Sequence, residues 1–247
     1  MYSVAIFDVG DTLLEYMPKT PDLHIERMRS FGIEIPDSRR DDIAACIENA
    51  GNAQIEREEK GEPRLNDADF ETLLDMAALN AIYGNEKSAD EVYALAIGLR
   101  QIPLGIQRLS IIPGAMDVLA ELSARNYRLA IVSNHRKWLP ELLSSLGIGM
   151  FFESIIVSEI VGYEKPDTRI MEASLSDLRL EAGDCLYIGD HPYDVYCARK
   201  AGMDCAWIAP KDKILPSSIP YQENYRISGL ADLLRILPSR PATMDHK

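Results

Sequence analysis

The chain has 247 residues, 47% of them hydrophobic and 26% charged. That is enough to bury a sizeable core without staples, as one large α/β domain or as a core with an insert. Thirty-nine acidic against 26 basic residues leave a formal charge of −13 with no basic run to offset it. This balance argues against nucleic acid and anionic membrane surfaces as partners. A phosphate-bearing substrate would need local cations strong enough to overcome that field.

In chain order, Val4-Ala5-Ile6-Phe7 reads as a short buried parallel strand that stops at Asp8, before a polar turn through Gly10 and Asp11. In an open α/β sheet such strand ends are where ligands bind. From 16 to 105 the pattern becomes helical, punctuated by Pro18, Pro21, Pro36 and Pro63, with no convincing strand. Leu23, Ile25, Met28 and Phe31 suggest a first helix. Ile43, Cys46, Ile47, Ala50 and Ile55 suggest a second, after an N-cap at Asp37 or Ser38. Phe70, Leu73, Leu74, Ala77, Ala78 and Ala81 mark a third, ending near Gly84. Ser88 and Glu91 form a capping box opening a fourth, with Val92, Leu95, Ala96 and Leu99 on one face. The charges from Glu56 to Lys60 read as a solvated helix face.

From Ile111 onward helices and strands alternate. Strands are expected at Arg128–Ser133, Ser154–Ser158, Cys185–Gly189 and Asp204–Ile208. Helices are expected around Val118–Leu122 and Leu139–Leu146 (stopped by Gly147), over 167–176 and 193–201, and from Ile227 to Leu237. Such alternation predicts right-handed crossovers and a parallel sheet. The expected fold class is therefore α/β: a Rossmann-like, doubly wound core of residues 1–15 and 106–237, an all-helical insert of 16–105 and a tail of 238–247.

Cys46, Cys185, Cys197 and Cys205 show no metal-ligand spacing and read as buried free thiols. The N-terminus has no basic region and makes a poor signal peptide, and no apolar stretch approaches the ~20 residues that span a bilayer. A soluble cytoplasmic protein, monomer or homodimer, is the expectation.

Three strands deliver polar groups to one sheet edge: Asp8, then Ser133-Asn134, then Asp190 with Asp194 four residues later. Lys165 lies in the loop between the second and third. Asp8, Asp190 and Asp194 offer hard oxygens suited to Mg²⁺, while Ser133, Asn134 and Lys165 offer donors for phosphate oxygens. Asp8 is then a candidate nucleophile. Each position has a plainer reading. Ser133-Asn134 could cap a helix, Lys165 could be an ordinary loop lysine and Asp194 could sit in a first turn for dipole reasons. His135 and His191 read as loop residues.

As an ordered set these segments resemble the haloacid dehalogenase superfamily of aspartyl-nucleophile hydrolases over nearly the whole chain. The resemblance rests on Phe7-Asp8-Val9-Gly10-Asp11-Thr12-Leu13, Val132-Ser133-Asn134, Lys165-Pro166-Asp167 and Gly189-Asp190-His191-Pro192-Tyr193-Asp194-Val195. Ile112-Pro113-Gly114 and the later Ala198, Ala201, Gly202 and Met203 also fit, and the insert is similar to the helical cap of the subfamily IA-like branch. The resemblance implies a phosphohydrolase acting on a small phosphorylated metabolite through an aspartyl-phosphate at Asp8. Ser133 and Lys165 would hold the phosphoryl group, with Thr12 and Asn134 beside them. Mg²⁺ would sit on Asp8, the Gly10 backbone carbonyl and Asp190, with Asp194 supporting the metal or Lys165. A cap of this kind closes over the site and supplies specificity, with Arg57, Arg64 and Arg100 as possible anion contacts.

One position departs from the family. Most of its phosphatases carry a second aspartate two residues after the nucleophile, as general acid and base; here that residue is Gly10, with Asp11 one place later. Losing such help is worth roughly 10²–10⁴-fold. The departure argues against a sugar phosphomutase. It leaves open a haloacid dehalogenase, a phosphonate hydrolase with Lys60 or Lys87 as imine-forming lysine, or a weakly active binding protein.

Overall fold

The computed structural model describes residues 2–59, 62–63, 65–105 and 108–240. Lys60, Arg64, the side chains of Ile55, Glu56, Glu58 and Glu59, and the tail beyond Arg240 lie outside them.

The elements follow in order as β1 (Val4–Phe7), β2 (Leu14–Met17), α1 (Thr20–Ser30), α2 (Arg40–Glu59), α3 (Asp67–Tyr83), α4 (Ala89–Leu99) and β3 (Arg108–Ile111). Then come α5 (Ala115–Ala124), β4 (Arg128–Ser133), α6 (Leu139–Ser145), β5 (Ser154–Val157), α7 (Ser158–Val161) and α8 (Arg169–Leu178). The chain closes with β6 (Cys185–Gly189), α9 (Pro192–Lys200), β7 (Asp204–Ile208), β8 (Tyr225–Ile227) and α10 (Leu233–Ile236). It divides into two compact units, Met1–Glu15 with Leu109–Lys247, and Tyr16–Arg108.

In the first unit a six-stranded sheet runs β5-β4-β1-β6-β7-β8, every neighbouring pair parallel. This is the Rossmann-like α/β core. β1 lies at its centre because both of its faces are apolar and both are covered. Ala5 and Phe7 pack with Leu129, Ile131, Leu186 and Ile188 against Val118, Leu119 and Leu122 of α5. Val4 and Ile6 pack with Ala130, Val132 and Tyr187 against Ile170 and Met171 of α8 and Val195 and Ala198 of α9. The period-two alternation of a strand thus feeds two cores at once. Each fully buried large side chain, such as Phe7 or Ile6, contributes about 1.5–3 kcal/mol. Gly147, at φ 76, ends α6 in the left-handed conformation that glycine adopts without a Cβ penalty.

In the second unit α1–α4 enclose their own core of Ile25, Met28, Ile43, Ile47, Leu74, Leu79, Val92 and Leu99. Ser88 and Glu91 form the expected capping box at α4. Asn66 caps α3 by accepting from the Asp69 N–H at 3.0 Å. A buried ionic group that the sequence did not announce joins these helices: His24 Nδ1 lies 2.7 Å from Asp75 Oδ1, and Arg27 bonds both Asp75 and Glu71.

The structure corrects several expectations. β2 and β3 form a two-stranded sheet where the sequence pattern shows only helices and loop; four residues each are too few to display a period, and their pairing is non-local. The closing segment is not one helix from Ile227. Tyr225–Ile227 joins the main sheet, and the Asp232 carboxylate accepts from the Ser228 N–H and Oγ in a turn before α10. α7 was not expected. Three cysteines are buried, but Cys46 is exposed. Arg57 engages Gln54 Oε1 at 2.5 Å, and Arg100 bonds Thr72, the Ala68 carbonyl and Asp69. Lys87 lies over the Tyr83 ring at 4.8 Å. Among the described residues no helix is long and apolar enough to cross a membrane.

Candidate active site

Every candidate residue except those of the helical insert falls in the first unit, with Asp8, Ser133 and Asp190 at the C-terminal ends of three adjacent strands. β1 ends at Phe7, yet the Asp8 N–H still donates to the Ile188 carbonyl at 2.8 Å, so Asp8 starts from a fixed backbone. Ser133 closes β4 and is buried. Asp190 follows β6 directly. Asp11 sits at φ 48, a left-handed turn residue of the kind aspartate tolerates, and turns the chain away from β1.

Lys165 arrives from a loop and becomes the hub. Its Nζ donates to Asp8 Oδ1 at 2.8 Å, Asp194 Oδ1 at 2.7 Å and the Tyr187 hydroxyl at 3.0 Å. Burial disfavours its charge, but Asp194 and Asp8 outweigh that and hold its pKa above the ordinary lysine value. Asp194, on the first turn of α9, is wholly buried. Its other oxygen accepts from the His191 N–H at 3.0 Å, and His191 Nδ1 accepts from the Tyr193 N–H at 3.1 Å. That carboxylate lies directly over Gly189: a Cβ there would stand 2.2 Å from Asp194 Oδ2, so only glycine fits.

One carboxylate oxygen each from Asp8, Asp190 and Asp194 lie within 4.8 Å of one another. Burial pushes the Asp8 carboxyl up against the pull of Lys165. Burial, then repulsion from Asp194, Asp8 and Asp11, pushes Asp190 up to about 7. Three carboxylates sharing one ammonium lack countercharge, and their hard oxygens suit a small divalent cation. The donor set therefore fits Mg²⁺.

A family model described as haloacid dehalogenase-like hydrolase matches residues 5–208. The chain belongs to this family. Over 131 residues it is 33% identical to a glyceraldehyde 3-phosphate phosphatase of Pyrococcus abyssi, a match covering 51% of this chain and 54% of that protein. It is 25% identical over 237 residues to haloacid dehalogenase-like hydrolase domain-containing protein 3 of Bos taurus, covering 94% and 91%. The chain spans about half the length of the first curated relatives it matches. Its fold is similar to that of the putative HAD-hydrolase YfnB from Bacillus subtilis, at 23% identity and a TM-score of 0.65, covering 96% of this chain and 98% of that one. That structure is described as bound to magnesium and as revealing interdomain movement.

In this haloacid dehalogenase-like hydrolase two of the expected phosphate contacts also hydrogen-bond within the protein. The Asn134 amide accepts from the Lys165 N–H at 2.7 Å and donates to the Lys165 carbonyl at 2.8 Å, so its side chain holds the lysine's backbone. Thr12 Oγ1, nearly inaccessible, donates to Asp190 Oδ1 at 3.1 Å and orients that carboxylate. His135 stays a loop residue, its Nδ1 accepting from the Arg136 N–H and its ring edge-on to Trp138 at 4.6 Å. Sequence reading passed over Tyr187 and Trp207. The available signal was a hydroxyl and an indole N–H in the apolar stretches Cys185–Gly189 and 205–208, where a buried donor needs a partner.

Proposed function

We propose that this chain hydrolyses small phosphorylated metabolites through an aspartyl-phosphate at Asp8, with Mg²⁺ as cofactor. The observation that carries the reading is Lys165 Nζ bridging Asp8 at 2.8 Å and Asp194 at 2.7 Å beside Asp190, at the strand ends. The phosphatase named among its relatives supports it.

Asp8 attacks phosphorus with one carboxylate oxygen. A bond forms from that oxygen to phosphorus, and the bond from phosphorus to the leaving oxygen breaks. Water then attacks the phosphorus of the acyl phosphate, releasing inorganic phosphate and restoring the carboxylate. Lys165 places a fixed positive charge against the oxygens that gather charge, the dominant contribution in phosphoryl transfer. Asp194 holds that ammonium in place. Ser133 donates to the phosphoryl group. Mg²⁺ would be held by Asp8, Asp190 and the Gly10 carbonyl, and supplies further charge neutralisation of the phosphoryl oxygens. Gly10 offers no proton to the departing oxygen. Substrates whose leaving oxygen is already a good anion, such as acyl and aryl phosphates, are therefore favoured.

The test compares wild type and Asp8→Asn for phosphate release from p-nitrophenyl phosphate and acetyl phosphate, with and without Mg²⁺. Mg²⁺-dependent release by wild type alone is expected. Equal, near-background rates in both proteins would leave a binding role. Haloacid turnover without Mg²⁺ would move the chain to dehalogenase chemistry.

A further inference from the structure

Lys165 stands on a loop, so its position depends on side chains that reach it from the sheet. Asn134 holds its backbone. At the other end, two of the three ammonium protons go to carboxylates and the third goes to Tyr187. Tyr187 is the middle residue of β6, fully buried, with its ring in the core beside Ile6, Val132 and Val195. Its hydroxyl lies 2.9 Å from the Val132 carbonyl and 3.1 Å from Asp194 Oδ1. The one phenolic proton goes to either acceptor; in both cases an oxygen lone pair remains for Lys165.

We propose that Tyr187 is a positioning residue for the phosphoryl-transfer step, acting through Lys165. The inference rests on the functional reading above. The phenol joins the β4 backbone, immediately before Ser133, to the ammonium. The anion-binding end of Lys165 thus takes its register from the strand that carries Ser133. Two carboxylates alone attract the ammonium strongly but fix it less: charge attraction is weakly directional, whereas a third acceptor on a rigid ring removes the remaining freedom. Rigid placement counts most in the transition state, where charge on the phosphoryl oxygens is greatest.

Tyr187→Phe deletes the hydroxyl and keeps the ring in the core. Assayed with p-nitrophenyl phosphate and Mg²⁺, it is expected to lower kcat about tenfold, the scale of one hydrogen bond to a charged group, with KM within about twofold. Inhibition separates positioning from damage. Orthovanadate, which mimics the five-coordinate phosphorus, should bind about tenfold more weakly to Tyr187→Phe, while inorganic phosphate binds nearly unchanged. A packing defect would reduce the active fraction and leave the vanadate constant where it was. An unchanged vanadate constant, or an unchanged kcat, overturns the proposal. Asp8→Asn in the same assay separates the two readings. If it keeps full turnover, the aspartyl-phosphate mechanism falls; if it is inactive while Tyr187→Phe is fully active with wild-type inhibition, only the role of Tyr187 falls.

Discussion

The indole N–H of Trp207 donates to the main-chain carbonyl of Asp190 at 2.8 Å. Asp190 lies one residue beyond β6, and its neighbour Gly189 is in register with Trp207 on β7. The fully buried ring is flanked by the Arg226 guanidinium at 4.6 Å and Lys213 Nζ at 5.7 Å from its centroid. Thr12 holds the carboxylate of Asp190, and Trp207 holds its backbone. Replacing Trp207 with Phe is expected to weaken Mg²⁺ binding about tenfold, as loss of a partner behind a metal ligand does. Replacing it with benzothienylalanine in a Trp138→Phe background keeps the ring's shape without the N–H and should weaken binding equally. Metal affinity read from the Mg²⁺-dependent rise in Tm checks both. Wild-type affinity in the sulfur isostere would mean that packing alone matters.

Gly189 and Gly10 make opposite predictions for the same substitution. At Gly189 a methyl group would overlap the Asp194 carboxylate, which is bonded to Lys165 and the His191 N–H and has nowhere to go. Gly189→Ala should cost about 1–3 kcal/mol of stability through overpacking. At Gly10 a Cβ meets nothing within 4 Å, so Gly10→Ala should change stability by no more than about 0.5 kcal/mol. Urea denaturation of the two variants gives the comparison, and equal losses would contradict this geometry.

The open space at Gly10 also makes a gain of function accessible. Without a carboxyl there, an alkyl leaving group departs as an unassisted alkoxide, whereas a nitrophenolate departs unaided. Wild type should therefore turn over p-nitrophenyl phosphate far faster than glycerol phosphate, and Gly10→Asp should raise the alkyl rate by roughly 10²-fold. Matched kcat/KM measurements on both substrates decide the point. Similar wild-type rates would show that another group delivers the proton.

The layout of the core was legible because its strands are short, apolar and end in polar residues, which puts Asp8, Ser133 and Asp190 on one edge from the sequence alone. Lys165 was legible only through its motif; nothing in a loop lysine before a proline announces that it will be buried against two carboxylates. Asn134 and Thr12 read as ligand contacts, and their bonds to Lys165 and Asp190 were not legible, because side-chain donors look alike in sequence. Whether a donor faces a ligand or a neighbouring backbone depends on tertiary placement. β2, β3 and β8 were invisible for a related reason: they are three or four residues long and owe their structure to pairing partners far away in the chain.

Thiol chemistry offers a check independent of catalysis. Burial pushes Cys185 up to about 11 and Cys197 up to about 12, and raises Cys205 well above the ordinary thiol. All three are thus hidden and held as unreactive thiols, whereas Cys46 is exposed on α2. Under native conditions at pH 8 a disulfide reagent should label Cys46 quickly and the others only on unfolding. Cys46→Ser should abolish the fast phase, which mass spectrometry of labelled peptides can assign.

Asp190 couples metal binding to pH in a direction that can be worked out. Its folded-state pKa is raised from 3.8 to about 7, so without metal the folded protein holds this proton more tightly than the unfolded chain. The stability this contributes is complete below the unfolded value and is lost as pH rises through about 7. Mg²⁺ binds the ionised carboxylate, so it competes with that proton at pH 5 and meets no such competition at pH 8. At one Mg²⁺ concentration the rise in Tm should therefore be larger at pH 8 than at pH 5. At saturation near 100 times Kd the rise should be on the order of 5–10 °C. Asp190→Asn should remove both the metal response and this part of the pH dependence. Scanning fluorimetry at both pH values, with and without Mg²⁺, makes the measurement, and a rise that is equal or larger at pH 5 would falsify the assignment of Asp190 as the proton-coupled ligand.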